Sequence, residues 1–181
     1  HDALPIYDEA GVHDEHVVRG AQLRDGALDL TLSITNQSRQ AAPVGLGWHP
    51  YFVKRPGSHV AFTATGRWEM GPDKLPTERR PSPGLDTDCA TLDVDHCFDG
   101  WPGVTTLRGE QLHIRVTSSL RRLVVFIHPG RDCLSIEPVS HVNNAINLME
   151  ISGASAQDLG VQVLQPGESM SAEMSIFVER I

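Results

Sequence analysis

The stretch Ala27–Asn36 alternates apolar and polar side chains from its second residue onwards. Leucine or isoleucine occupies positions 28, 30, 32 and 34, and aspartate, threonine or serine occupies the positions between them. Because successive side chains of an extended strand point to opposite faces, this period of two predicts a β-strand with one buried face. A sheet of such strands needs a second layer to cover its apolar side.

Other short segments rich in apolar residues follow at spacings typical of hairpins. The pairs Gly109-Glu110 and Pro166-Gly167 predict turns between neighbouring strands. No segment predicts a helix longer than about two turns. The fold class is therefore predicted to be all-β, as a sandwich. The further strands are predicted at 17–24, 59–65, 104–108, 111–117, 122–128, 133–138, 161–164 and 169–178.

The segment 66–88 has no periodicity and carries prolines at positions 72, 76, 81 and 83. A connection of this length within one domain is usually functional or disordered. Because candidate functional residues lie on both sides of it, we predict a loop near the functional site rather than a linker between domains.

The composition excludes several kinds of partner. A formal charge of −8 over 181 residues argues against nucleic acid or an anionic membrane surface. No apolar run reaches the roughly 18 residues that span a bilayer, and no signal peptide is recognised. Cys89, Cys97 and Cys133 are an odd number without metal-ligand spacing, which indicates free thiols. We therefore expect a cytoplasmic protein of a single domain.

A histidine stands in an apolar, strand-like stretch, Gly45-Leu46-Gly47-Trp48-His49-Pro50-Tyr51-Phe52. Pro50 removes a backbone donor and favours extended geometry at His49, which suits the edge or end of a strand. From these residues alone, two interpretations stay open. His49 either faces a cleft or is a half-buried histidine of a core strand.

Glu137 follows the apolar run Leu134-Ser135-Ile136 and precedes Pro138. A carboxylate at the end of a buried strand is costly unless it is paired or used, and burial would raise its pKa towards the range of a general base. The alternative is an ion pair with an arginine. The candidate arginines for that pair are Arg115, Arg121 and Arg131.

The segment 92–100 carries three carboxylates, at Asp93, Asp95 and Asp99. Their spacing does not fit an EF-hand calcium loop. From the residues alone, Asp95 is either a ligand-binding carboxylate or the cap of an Asx-type turn. Asp93 and Asp99 are predicted to be solvated turn residues.

Three motifs stand in the order found in a known family. They are Gly-Trp-His-Pro-Tyr-Phe at 47–52, Asp-His-Cys-Phe at 95–98 and Ser-Ile-Glu-Pro at 135–138. Together they resemble the aldose 1-epimerases, the galactose mutarotase family. The resemblance runs from residue 17 to the C-terminus and corresponds to the C-terminal part of that family. It implies a galactose mutarotase-like β-supersandwich that is incomplete here. Residues 1–16 form a poorly matched N-terminal segment, and 17–181 form the single partial domain.

The resemblance also implies a reaction, the interconversion of the α and β anomers of a free aldose such as galactose or glucose. Glu137 would be the general base, His49 the general acid, and Asp95 would bind sugar hydroxyls. No metal and no cofactor is implied. The family's N-terminal histidine and arginine have no counterpart here, so we expect weak or no activity from this chain.

Two interpretations from other functional classes are also considered. A non-catalytic carbohydrate-binding module on the same scaffold would keep Asp95 and an aromatic lining but would not need Glu137 and His49 as a pair. An interaction domain would use exposed sheet edges instead. Trp48, Trp68 and Trp101 are candidates for an aromatic sugar-binding surface, with core packing as the alternative for each.

Overall fold

The computed structural model describes residues 15–181 of the chain. The N-terminal segment assigned to residues 1–16 lies outside the described residues except for its last two, which begin the first strand. Its separation from a single domain over 17–181 stays a prediction. The described elements are β1 (Glu15–Arg24), β2 (Ala27–Asn36), β3 (Ala42–Val44), β4 (Tyr51–Val53), β5 (His59–Thr63), β6 (Gly66–Met70), β7 (Pro76–Pro81), β8 (Gly84–Asp88), β9 (Val94–Asp99), β10 (Val104–Arg108), β11 (Leu112–Ser118), β12 (Arg122–Ile127), β13 (Cys133–Val139), α1 (Ala145–Ser152), α2 (Ala156–Leu159), β14 (Gln162–Leu164) and β15 (Ser169–Arg180).

The strands form two large antiparallel sheets and one small pair. The first sheet has the order β1-β2-β15-β11-β10-β5-β8, the second has the order β4-β13-β12-β9-β6-β7, and β14 pairs with β3. The main core lies between the two sheets, where Val60 and Val116 of the first meet Leu123 of the second. Across the same gap, Phe62 and Phe98 pack edge to face with ring centroids 5.0 Å apart. The predicted all-β sandwich is confirmed.

The far face of the second sheet is the one that points away from the core between the two sheets. In β12, Leu123 and Val125 point into the core between the sheets, and Val124 between them points away from it. Both short helices cover part of this far face, where Leu148 of α1 and Leu159 of α2 pack in one cluster with Val124. Neither helix in the described part of the chain is long and apolar enough to cross a membrane.

The predicted loop at 66–88 is wrong, because this segment contains β6, β7 and β8. Both β7 and β8 are outermost strands of their sheets, where one row of backbone groups has no partner strand. Proline is tolerated at such edges and at strand ends, and Pro76 and Pro81 stand at the two ends of β7. Side chains of β7 are almost all exposed, so no alternation marks it in the sequence.

Truncation of a leucine is expected to lower the free energy of unfolding much more in the sandwich core than on the surface. Leu134 is 0% exposed and Leu23 is 82% exposed. Leu134→Ala removes buried apolar atoms and leaves a cavity, so we expect it to lower the free energy of unfolding by about 2–5 kcal/mol. Leu23→Ala deletes the same atoms on the surface and should change it by less than about 0.5 kcal/mol. Urea denaturation of both variants measures the difference, and equal losses would contradict the assignment of the core.

Candidate active site

The position of His49 follows from the strand pairing. An isolated bridge joins Gly47 to Val139, and the pairing of β4 with β13 continues in the same register. His49 lies between these two contacts and therefore stands directly opposite Glu137. Pro50 follows it and interrupts the ladder, since proline has no backbone N–H. The strand expected through this whole stretch is therefore broken into β3, a bridge and β4.

The alternation of this segment decides which side chains reach the far face of the second sheet. Leu46 is buried in the core, and Trp48 packs there as well. His49 consequently projects to the opposite side. A side chain at Gly47 would come within 2.9 Å of Val139 Cγ1, so the absence of a side chain allows this segment to lie close to β13.

His49 and Glu137 are in direct contact. The distance from His49 Nε2 to Glu137 Oε1 is 3.2 Å, and the His49 side chain is 55% exposed whereas that of Glu137 is 11% exposed. Ser135 is fully buried and donates a hydrogen bond from its hydroxyl to the same Oε1, at 2.6 Å. Among the described residues, no donor is bonded to Oε2 of Glu137, which leaves that oxygen able to accept a proton.

The environment of Glu137 raises the pKa of its carboxyl from the ordinary value of a glutamate. Burial is the largest cause, since desolvation disfavours the charged form. The hydrogen bond from Ser135 and the nearby His49 lower the pKa, and the charge of Asp95 raises it. The net direction is upward, which makes Glu137 a stronger base than an exposed glutamate.

The arginine ion pair considered as an alternative for Glu137 is not found. Within residues 15–181, the basic side chain within 4 Å of its carboxylate is His49, and no arginine lies that close. Arg115 instead places its guanidinium carbon 4.7 Å from the ring centroid of Phe177, in the first sheet. The interpretation of Glu137 as a carboxylate paired with an arginine is therefore wrong.

Asp95 lies on the same sheet face as Glu137. It is in β9 and pairs across β12 with Phe126, which in turn pairs with Ser135 of β13. The side chains at these positions therefore share one face, and Asp95 is half-buried. Because Asp95 stands inside a strand, the alternative of an Asx-turn cap is wrong. In the described part of the chain, no side chain donates a hydrogen bond to its carboxylate.

Two residues of this site were missed by the sequence interpretation. The Tyr51 ring lies with its centroid 4.7 Å from that of His49 at an angle of 31°, and the residue is 61% exposed. Ser135 binds Glu137 as described above. In the sequence, Tyr51 is two residues from His49, and Ser135 is two residues from Glu137. This spacing places both side chains of a pair on one face and was the available signal.

The three tryptophans do not form the aromatic surface that was considered. Trp101 is almost completely buried, and Trp48 packs against both apolar clusters of the core. Trp68 is half-buried and donates its indole N–H to Asp99 at 2.8 Å. Tyr51 is the aromatic side chain that accompanies His49. Core packing is therefore the correct interpretation for Trp48 and Trp101.

The prediction that Asp99 is a solvated turn residue is wrong. Asp99 ends β9, is 7% exposed and accepts hydrogen bonds from Trp68, Arg79 and Arg122. It continues the period of two that begins at Asp95, so it lies on the same packed face of the second sheet.

Over residues 15–181, no group of three or more His, Cys, Asp and Glu side chains is arranged to hold a metal ion. All three cysteines are free thiols, as predicted.

A sequence model of the aldose 1-epimerase family matches residues 14–176. The chain belongs to the aldose 1-epimerase family. Its three resembling motifs and both partners of the His49–Glu137 contact lie inside the matched range.

Relatives of this aldose 1-epimerase family member include an uncharacterised protein of Escherichia coli K12, YphB. The two are 28% identical over 197 residues, which cover 96% of this chain and 64% of YphB. A solved structure of a putative aldose 1-epimerase from the same organism is 26% identical, with a TM-score of 0.81 over 96% of this chain and 63% of that one. The chain thus spans slightly less than two thirds of these relatives.

A more distant structure shows the same fold. A galactose mutarotase-like protein from Clostridium acetobutylicum is 17% identical, with a TM-score of 0.81 over 97% of this chain and 61% of that one. The expectation of a galactose mutarotase-like β-sandwich is therefore confirmed.

Proposed function

We propose that this chain carries the acid–base pair of a mutarotase, which interconverts the α and β anomers of a free aldose. The observation that carries the proposal is the contact between His49 and Glu137 on one sheet face, with Asp95 beside them. Family membership supports the same reaction class. A buried carboxylate with a raised pKa next to an exposed imidazole suits proton transfer in both directions.

The reaction needs two proton transfers and no change of oxidation state. Glu137 takes the proton of the C1 hydroxyl on Oε2, and His49 gives a proton to the ring oxygen. The ring opens to the aldehyde, the C1–C2 bond rotates, and the ring closes on the other face with both transfers reversed. The exposure of the His49 side chain allows a sugar to reach its ring.

Asp95 and Tyr51 supply the binding contacts in this proposal. The Asp95 carboxylate accepts hydrogen bonds from sugar hydroxyls, for which its free oxygens are suited. The exposed Tyr51 ring offers an apolar surface to the C–H side of the sugar. The substrate is a neutral aldohexose such as galactose or glucose.

Polarimetry on freshly dissolved α-galactose and α-glucose tests the proposal. The chain is expected to speed equilibration above the buffer rate. An equal amount of heat-denatured chain is the control. Sugar binding without any acceleration would contradict the proposal and favour a non-catalytic carbohydrate-binding module, which needs only Asp95 and Tyr51.

Ser135→Ala is expected to shift the pH dependence of this activity. The base must be deprotonated, so the rate falls as the pH drops below the pKa of Glu137. The Ser135 hydrogen bond lowers that pKa, and its removal should therefore move the acidic limb of the profile to higher pH. At acidic pH the variant should be slower than the original chain, and near the alkaline end the two should converge. An unmoved acidic limb would contradict the role of Ser135 as a positioning residue.

A further inference from the structure

A second concave site lies where β9 ends and β12 begins. It is a cavity of about 460 Å³ whose lining includes Arg79, Arg121 and Arg122, and Asp99 is hydrogen-bonded to the first and the last of these. Arg122 of β12 pairs with Asp99 of β9. The position two residues further along β12 pairs with Glu137. The arginine cavity therefore lies on the same sheet face as the acid–base pair, two residues away along β12.

Positive charge exceeds negative charge in this cavity. Asp99 accepts from Arg79 Nε at 2.9 Å and from Arg122 Nε at 2.6 Å, so one carboxylate is shared by two guanidinium groups. The Asp158 carboxylate is bound by the backbone N–H and the hydroxyl of Ser155 at the start of α2. Within residues 15–181, Arg121 makes one hydrogen bond, to the carbonyl of Pro102 at 2.6 Å, and no ion pair. Three arginines and two aspartates, Asp99 and Asp158, line the cavity, which leaves one positive charge in excess in a chain whose formal charge is −8.

Uncharged hydrogen-bond acceptors hold the guanidinium groups of Arg122 and Arg79 in place. Arg122 donates to the carbonyls of Ser140 at 3.0 Å and Asp158 at 2.7 Å, and Arg79 donates to the Thr65 hydroxyl at 3.1 Å. Anchored in this way, the side chains are ordered before any ligand arrives, which reduces the entropy that binding must offset.

Glycines allow each arginine its position. A Cβ at Gly103 would stand 2.6 Å from Arg121 Nη1, and a Cβ at Gly160 would collide with Arg122 Nη1. A Cβ at Gly66 would likewise collide with the guanidinium group of Arg79. Each of the three arginines that line the cavity thus packs where a larger residue would displace it.

From this geometry we propose that the arginine cavity binds a phosphate group, free or as a monoester. Planar guanidinium forks match the oxygens of a tetrahedral anion. Three arginines line this one cavity, with one positive charge in excess. The volume lies within the range of small-molecule sites and leaves room for part of the molecule that carries the phosphate. This site is separate from the acid–base pair and does not depend on the proposed mutarotase reaction.

Titrations at low salt test the proposal. The ligands are inorganic phosphate, glucose 6-phosphate and glucose, and binding is measured by isothermal titration calorimetry and by backbone amide NMR. We expect saturable binding of both phosphates, with shifts at Gly100 and Gly103, and no such shifts with glucose. Tighter binding of the ester would identify a phosphorylated metabolite as the ligand, and equal binding would identify free phosphate.

Three variants complete the test. Arg121→Gln, at an exposed position, should weaken phosphate binding about tenfold, because a hydrogen bond to a charged group is lost. Arg108→Gln, also exposed but on the first sheet, should leave it unchanged. Glu137→Gln should also leave it unchanged, which separates this proposal from the mutarotase reaction. Absence of saturable binding, or equal weakening by Arg121→Gln and Arg108→Gln, would overturn it.

Discussion

Glu137→Gln is expected to lower the rate of anomer interconversion by about 10²–10⁴-fold, which corresponds to about 3–5 kcal/mol in the barrier. Glutamine keeps the size of the side chain and can still accept the Ser135 hydrogen bond. It cannot take up the proton of the C1 hydroxyl. Because the geometry is retained, the loss should appear in kcat, with KM changed much less.

The matched control for this variant is Glu179→Gln. Glu179 also faces a histidine, with 3.7 Å between Glu179 Oε2 and His113 Nδ1, but it is highly exposed and lies on the first sheet. Polarimetry of both variants should show the loss of about 10²–10⁴-fold in the first and no loss in the second. A Glu137→Gln chain that retains the original rate would disprove the role of Glu137 as base.

His49→Ala should lower the rate by about 10²-fold or more, since the ring oxygen loses its proton donor. The truncated side chain leaves an accessible space at a position where the original side chain was 55% exposed. Added imidazole should enter it and restore part of the rate. The acidic limb should also move to higher pH, because the charge of His49 lowers the pKa of Glu137.

His59→Ala is the corresponding control. His59 Nε2 lies 3.4 Å from Asp86 Oδ1, so it is another exposed histidine beside a carboxylate, but it is placed on the first sheet. Its variant should keep the original rate and gain nothing from imidazole. Loss of activity in His49→Ala that imidazole fails to restore would indicate a structural role for His49 and contradict its role as acid.

Local patterns were sufficient for strands whose apolar side chains either alternate with polar ones, as in β2, or form a continuous buried run, as in β13. The alternation predicted at 27–36 corresponds to β2, where Leu32 and Ile34 are buried between β1 and β15. The apolar run before Glu137 likewise predicted β13, with Leu134 and Ile136 in the core. Burial of Glu137 itself followed from its position in that run.

Other features depend on contacts that no local pattern contains. The edge strands β7 and β8 have mostly exposed or half-exposed side chains and several prolines, so their pairing with β6 and β5 determines that they are strands. Asp99 was misjudged because its three donors come from other strands. The facing of His49 and Glu137 is likewise a property of the sheet register, which the motifs alone do not fix.

That register makes the spacing of His49 and Glu137 a property of the main chain. The two residues are 88 positions apart in sequence (137 − 49), yet adjacent strands hold them as direct neighbours. Lengthening the surface turns in that interval, such as the one at Gly109, would leave the pair unmoved. Adding or deleting one residue between Gly47 and Tyr51 would turn the imidazole into the core. Changes of length are therefore compatible with the pair in the surface turns, but not in the residues around His49 or in β13 around Glu137, which set the register.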